Sequence, residues 1–329
     1  MSWDLLGHEW AEKLLQSHIA NEDARHAYLF TGAPGIGRRS LALKFASALN
    51  CTQPPSPGES CGSCRSCRLT TAMQLPDLSL VSSEGEGGMI KVGQVRELER
   101  VLALTPFEAK YRIALLLNFQ LANANAQNAL LKTLEEAPSK VVLLLTADST
   151  DSLLPTISSR CEILRLRPVA VETLEQALNT RWELPAEEAR LYAHLADGRP
   201  GLARRMAAEP AMLEKRRGWL EEFLRLLPLN RRDRFASAET LAHNRDQLRL
   251  ILQVWVSFAR DIFLTANGMG EKVVNLDYAA DSQRVAGQIS NPMAFEMLNS
   301  LICSLENLEA NANLRLLLDN LWLELPRIS

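Results

Sequence analysis

The sequence predicts an α/β module with a mainly parallel sheet, interrupted by a cysteine-rich insertion and followed by two helical parts. Three observations lead there. Short apolar runs alternate with amphipathic stretches between residues 26 and 166, as parallel strands joined by helical crossovers do. The runs at 113–117 and 141–145 are continuous rather than alternating, the pattern of strands buried on both faces. Beyond Pro168 no such run recurs, and apolar spacing is helical from there on.

In order, the pattern predicts a helix over 7–20, a strand over 26–30, a glycine-rich loop and a helix over 40–49. A window rich in cysteine follows, flanked by Pro54, Pro55, Pro57 and Gly58, which regular elements do not tolerate. This insertion needs something other than a core to hold it. Next come a strand over 78–82, a glycine-rich link, a helix over 92–104, a strand over 112–117 and a helix over 122–136 stopped by Pro138. Strands over 141–146 and 162–166 close the module. Residues 168–207 read as a small helical unit, and 209–329 as longer amphipathic helices.

Composition narrows the function. Apolar residues make up 47% and charged residues 23% of 329, which excludes a disordered, collagen-like or disulfide-dense secreted chain. No stretch approaches the ~18 apolar residues of a membrane span. Asp4, His8 and Glu9 stand where a signal peptide would be apolar, so a cytoplasmic chain is expected. A net charge of -3 argues against a global electrostatic hold on DNA, leaving only local strips.

The segment Gly32-Ala33-Pro34-Gly35-Ile36-Gly37-Arg38-Arg39-Ser40 lies between a strand and a helix, where a phosphate-binding loop sits. Gly32, Gly35 and Gly37 supply its turn, but Arg38 replaces the lysine and Arg39 the magnesium-binding hydroxyl. Ser40 does not substitute, because one residue along a helix rotates a side chain by about 100°. The strand over 112–117 runs into Asn118-Phe119-Gln120-Leu121 without the carboxylate that magnesium requires. Two independent parts of an ATPase site are missing. ATP hydrolysis is not expected, although surviving backbone amides leave room for weak nucleotide binding.

Three strings now carry a resemblance: Arg25-His26-Ala27-Tyr28-Leu29-Phe30-Thr31-Gly32, the helix Asn128-Ala129-Leu130-Leu131-Lys132-Thr133-Leu134-Glu135-Glu136, and Ile157-Ser158-Ser159-Arg160-Cys161. The chain resembles the AAA+ clamp-loader family over nearly its whole length, since 255–261 and 311–325 are similar to that family's C-terminal collar. The resemblance implies an AAA+ P-loop module at 1–167 carrying the cysteine insertion at about 51–67, a helical lid at 168–207 and an all-α collar at 208–329. It implies tau/gamma and delta subunits, a sliding clamp and primer-template DNA as partners, in the replication machinery of DNA polymerase III. Bacterial members divide into a hydrolysing tau/gamma type and a type of like architecture without a working site. Arg38, Arg39 and Asn118 imply the second. So does Gly201, which stands in Gly198-Arg199-Pro200-Gly201-Leu202-Ala203 where the family pattern has its sensor arginine.

In the family, the arginine of the Ser159-Arg160-Cys161 triplet is a finger reaching into a neighbouring subunit's ATP site, where its guanidinium offsets charge on the γ-phosphate. A surface or core-capping ion pair is the alternative for Arg160. Cys51, Cys61, Cys64 and Cys67 have spacings that close a tetrahedron around zinc, with no open coordination position, so a structural site is expected. Free thiols or a redox pair are the alternatives. Lys132 and Glu136 are expected to pair at i,i+4 on the helix over 122–136. Arg96 and Arg100, on adjacent turns, are candidates for DNA contact or simply a solvated face. His8, His18, His194 and His243 form no ligand pattern, and Trp219, Trp255 and Trp322 read as packing. A divergent tau/gamma-like ATPase is the competing function. A zinc-dependent DNA-binding protein is a third, lacking a recognition helix and basic patch.

Overall fold

The computed structural model describes residues 3–83, 85 and 88–328. The glycine-rich link expected after residue 82 lies partly outside them. The chain forms two compact units, Met1–Ala170 with Gly198–Leu202, and Val171–Asp197 with Ala203–Ser329.

The first unit is built on five strands: β1 (Ala27–Thr31), β2 (Leu78–Val81), β3 (Arg112–Leu116), β4 (Val141–Ala147) and β5 (Glu162–Arg165). They lie in the order β2-β3-β4-β1-β5, every pairing parallel. All residues of β1, β3 and β4 are buried, as the continuous apolar runs require. Alternate residues serve the two faces. Tyr28, Phe30, Ile113, Leu115 and Leu144 pack with Ala11 and Leu15 of α1 (Glu9–Ala20) and Leu41 and Phe45 of α2 (Arg38–Leu49). The insertion carries α3 (Arg65–Thr71). On the other face, Leu29, Leu116, Leu143 and Leu145 pack with Val95 and Leu98 of α4 (Val92–Leu102) and Leu130 and Leu134 of α5 (Ala124–Glu135). A single turn, α6 (Pro155–Ser158), precedes β5.

Several boundaries differ from the sequence reading for local reasons. The first helix begins at Glu9 rather than residue 7, because Gly7 has φ +81°, and any Cβ there would strike Val169. The helix expected from 122 begins at Ala124 because Asn123 caps it, accepting the Ala126 N–H at 2.9 Å. It ends at Glu135. Glu136, with φ -128° and ψ 61°, is its C-cap, and its N–H still donates to Lys132 O at 3.0 Å.

A buried carboxylate fixes the approach to β3. Asp77 accepts the amides of Phe107, Glu108 and Ala109 at 2.7, 2.8 and 2.9 Å and pairs with Arg112 at 3.0 Å. Burial works to raise its pKa, but the amide donors and the guanidinium outweigh it and hold the carboxyl below the usual range.

The second unit is helical: α7 (Val171–Thr180), α8 (Ala186–Ala196), most of α9 (Pro200–Ala208), then α10 (Pro210–Leu226), α11 (Arg231–Leu241), α12 (Arg245–Ala266), α13 (Ala279–Ala286), α14 (Asn291–Glu309) and α15 (Leu314–Glu324). Its core centres on Trp255, whose ring lies 5.2 Å from Phe223 and 5.7 Å from Trp322. The Trp255 indole N–H donates to Trp219 O at 2.8 Å, so the tryptophans pack as the sequence implied. Arg234 of α11 is also buried. Its guanidinium donates to Leu226 O, Leu227 O, Trp322 O, Leu325 O and Pro326 O, and so binds the C-terminal ends of α10 and α15 together.

Candidate functional site

The glycine loop sits where β1 turns into α2. Gly32, Gly35 and Gly37 all have positive φ, and Gly37 is the N-cap of α2. A Cβ on Gly32 would lie 2.7 Å from Leu166 O, and one on Gly35 would lie 2.9 Å from Leu202 Cβ. The loop is thus closely covered by the chain around Gly201, whose N–H donates to Gly35 O at 2.8 Å. Gly201, read as standing in the sensor-arginine position, touches the loop through its backbone.

Arg38 is buried at 8% exposure. Its guanidinium donates to Asp148 Oδ1 at 2.6 Å, just past β4, and to Asn118 Oδ1 at 3.2 Å, just past β3. It therefore crosses the C-terminal edge of the sheet, binding the amide that stands in place of the expected carboxylate. Arg39 is exposed and lies instead against Met73 Sδ at 3.1 Å. His8, which forms no ligand pattern, supports the loop by sharing a hydrogen bond between Nε2 and Ile36 O at 2.8 Å. Sequence periodicity carries no signal for that contact.

Arg160 stands at the other edge. β1 and β5 run parallel with Tyr28 opposite Glu162, so Arg160 precedes the sheet whereas the glycine loop follows it. At about 3.3 Å per residue, the four steps from Tyr28 to Gly32 alone separate them by ~13 Å. The Arg160 guanidinium pairs with Glu135 Oε1 at 2.7 Å and donates to Thr156 O at 3.0 Å and Ser159 Oγ at 3.4 Å. It lines an open pocket of about 470 Å³ with Arg25, His26, Glu135, Cys161 and Glu162. Burial pushes the Cys161 thiol up to about 12, so the triplet's cysteine packs rather than reacts. Glu135 is the residue that sequence reasoning missed here.

The four clustered cysteines converge as their spacing implied, every Sγ within 4.8 Å of the others and able to hold a metal ion. Cys61 and Cys67 sulfurs lie 3.9 Å apart, near the ~3.8 Å separation of sulfurs tetrahedral about zinc. Backbone N–H groups of Cys61, Cys64 and Cys67 donate to Cys51, Cys61 and Cys64 sulfur at 3.3, 3.3 and 3.4 Å, contacts that favour thiolate over thiol. Cys64 is the N-cap of α3, an element the proline-rich flanks concealed. The insertion is docked through Gly58, whose carbonyl accepts the Trp3 indole N–H at 3.3 Å.

Arg96 and Arg100 lie on the exposed face of α4, Arg100 paired with Glu97 at 3.0 Å. No helix of the described residues is long and apolar enough to cross a membrane.

Two family models match, described as DNA polymerase III, delta subunit, over residues 7–170, and DNA polymerase III, delta subunit, C terminal, over 210–326. The delta' subunit of DNA polymerase III from Yersinia pestis is 32% identical over 84% of this chain and 81% of its own length. The chain belongs to the DNA polymerase III delta' family. The Pseudomonas aeruginosa delta' subunit is 36% identical, over 60% of each chain. The tau subunit of Bacillus subtilis is 30% identical over 59% of this chain and 35% of its own.

Proposed function

We propose that this delta'-family chain is a clamp-loader stator: it does not hydrolyse ATP, and it lends Arg160 to the ATP site of a neighbouring tau/gamma subunit. With tau/gamma and delta it would place the sliding clamp on primer-template DNA, as part of the DNA polymerase III holoenzyme. The observation that carries this reading is the guanidinium of Arg38 joined to Asp148 and Asn118. The chain's own cation and amide take the positions that lysine and carboxylate need for phosphate and magnesium. Arg160 lies at the opposite edge of the same sheet, bound to Glu135, Thr156 and Ser159, which supports reading any phosphate it serves as another subunit's. In this reading 1–167 is the AAA+ module, 168–207 the lid and 208–329 the oligomerising collar, with Arg96 and Arg100 candidates for the DNA-facing side.

The competing reading, a divergent tau/gamma-like ATPase, draws on the tau relative. The two separate on one measurement. Isolated chain is expected to give no ATP turnover, whereas steady-state hydrolysis abolished by changing Arg38 would establish the ATPase.

We further infer that Cys51, Cys61, Cys64 and Cys67 hold one structural zinc. The donor set fits: four converging thiols with amide donors, and no open ligand position. Metal analysis is expected to give one zinc per chain, with sulfur-only coordination at about 2.3 Å by X-ray absorption. Nitrogen or oxygen in the inner shell, or freshly purified protein without metal, would reject it.

A further inference from the structure

We propose that Glu135 is a positioning residue that holds the Arg160 guanidinium in standby and gives it up to the phosphate of a neighbouring subunit's nucleotide. This rests on the reading of Arg160 as a donated finger. Two of the three partners of Arg160, Thr156 O and Ser159 Oγ, come from its own turn and aim the fork through Nη1. The third, Glu135 Oε1 at 2.7 Å, crosses from α5 and takes Nη2. A phosphate oxygen and the Glu135 carboxylate compete for that nitrogen, whereas the Nη1 contacts can persist while the finger works.

The position of Glu135 is otherwise unfavourable. It is the last residue of α5, where a carboxylate meets the negative end of the helix dipole. The helix gains nothing from the charge, so the pairing with Arg160 is what the charge serves. The pair is also partly solvated, at 35% exposure for Arg160 and 50% for Glu135. Pairs so exposed are weak, and a polyphosphate carrying several charges displaces one. The pocket balances Arg25 and Arg160 against Glu135 and Glu162, while His26 bonds Leu134 O at 3.0 Å. Freeing Arg160 from Glu135 gives the fork to an incoming anion without unfolding any element.

The test uses the assembled complex with tau/gamma and delta subunits. Glu135→Gln removes the charge, keeps the size and relieves the helix dipole. It is expected to raise hydrolysis without DNA at the adjoining site by about two- to fivefold, the scale of an exposed ion pair, through kcat rather than KM, so that total hydrolysis by the complex rises by a smaller factor. Glu135→Ala should give the same rise, and Glu135→Gln combined with Arg160→Ala should give none. An unchanged rate in both Glu135 variants, with Arg160→Ala impaired, overturns the standby role and leaves the finger standing. A rise that persists in the double variant also overturns it, since the effect would be pocket charge alone. Wild-type hydrolysis and loading in Arg160→Ala would remove the finger reading itself.

Discussion

Arg160→Ala is expected to lower hydrolysis at the one adjoining ATP site by about a thousandfold, the lower range for arginine fingers donated in trans. The isolated chain should fold as before. Its ion pair with Glu135 is partly exposed, and such pairs contribute about 1 kcal/mol or less. In the proposed assembly, where other ATP sites have fingers of their own, total ATP turnover should fall only in part while clamp loading falls more. Arg160→Lys should recover little, since an ammonium lacks the planar fork that spans Glu135, Thr156 and Ser159. Loading rate in a reconstituted complex decides the matter. Wild-type loading would make Arg160 a structural arginine, and failure to assemble would place its main work at the interface.

The second large effect is on stability. Arg234→Met should destabilise the helical unit by about 3–5 kcal/mol, lowering Tm by ~10 °C. The guanidinium is 2% exposed, and its five acceptors are all backbone carbonyls. Leu226, Leu227, Trp322, Leu325 and Pro326 lie at helix ends, where carbonyls have no partner within the helix and the dipole is negative. Burial, with Arg231 and Arg327 nearby, pulls the Arg234 pKa down, and the carbonyls offset that cost. Methionine fills the volume but strands the Trp322, Leu325 and Pro326 carbonyls, each costing about 1–3 kcal/mol when buried without a partner, while Leu226 O and Leu227 O keep the N–H groups of Leu229 and Ile328. Arg234→Lys should rescue little, because one ammonium cannot reach both helix ends. Chemical denaturation followed through tryptophan fluorescence would measure this, and a loss below about 1 kcal/mol would contradict it.

How far such features can be read from sequence depends on the range over which they act. The sheet was legible because a strand covered on both faces must be apolar throughout, and 113–117 and 141–145 are. The cysteine cluster was legible because sulfur spacing within a short window limits its geometry. The helix at Arg65–Thr71 was hidden, since it is short and its cap is a cysteine already assigned elsewhere. Arg38 was read as a failed lysine, and only the folded sheet shows that Asp148 and Asn118 give it other work. Glu135 and Arg234 carry no local signature, because their partners lie 25 and up to 92 residues away. Long-range polar pairing has no period.

The backbone bond between Gly201 and Gly35 bears on the history such a chain can have. Arginine restored at position 201 would bring a Cβ to 2.8 Å from Gly35 O, forcing the loop to shift before any gain in catalysis. Lysine restored at 38 would release Asp148 and Asn118 while position 39 still lacked a hydroxyl. Each single substitution therefore disturbs a contact that the loop uses. On the proposed non-hydrolysing reading, these contacts oppose a return to ATPase chemistry one substitution at a time, so that loss would behave as a ratchet, with selection acting on what the chain offers its neighbours.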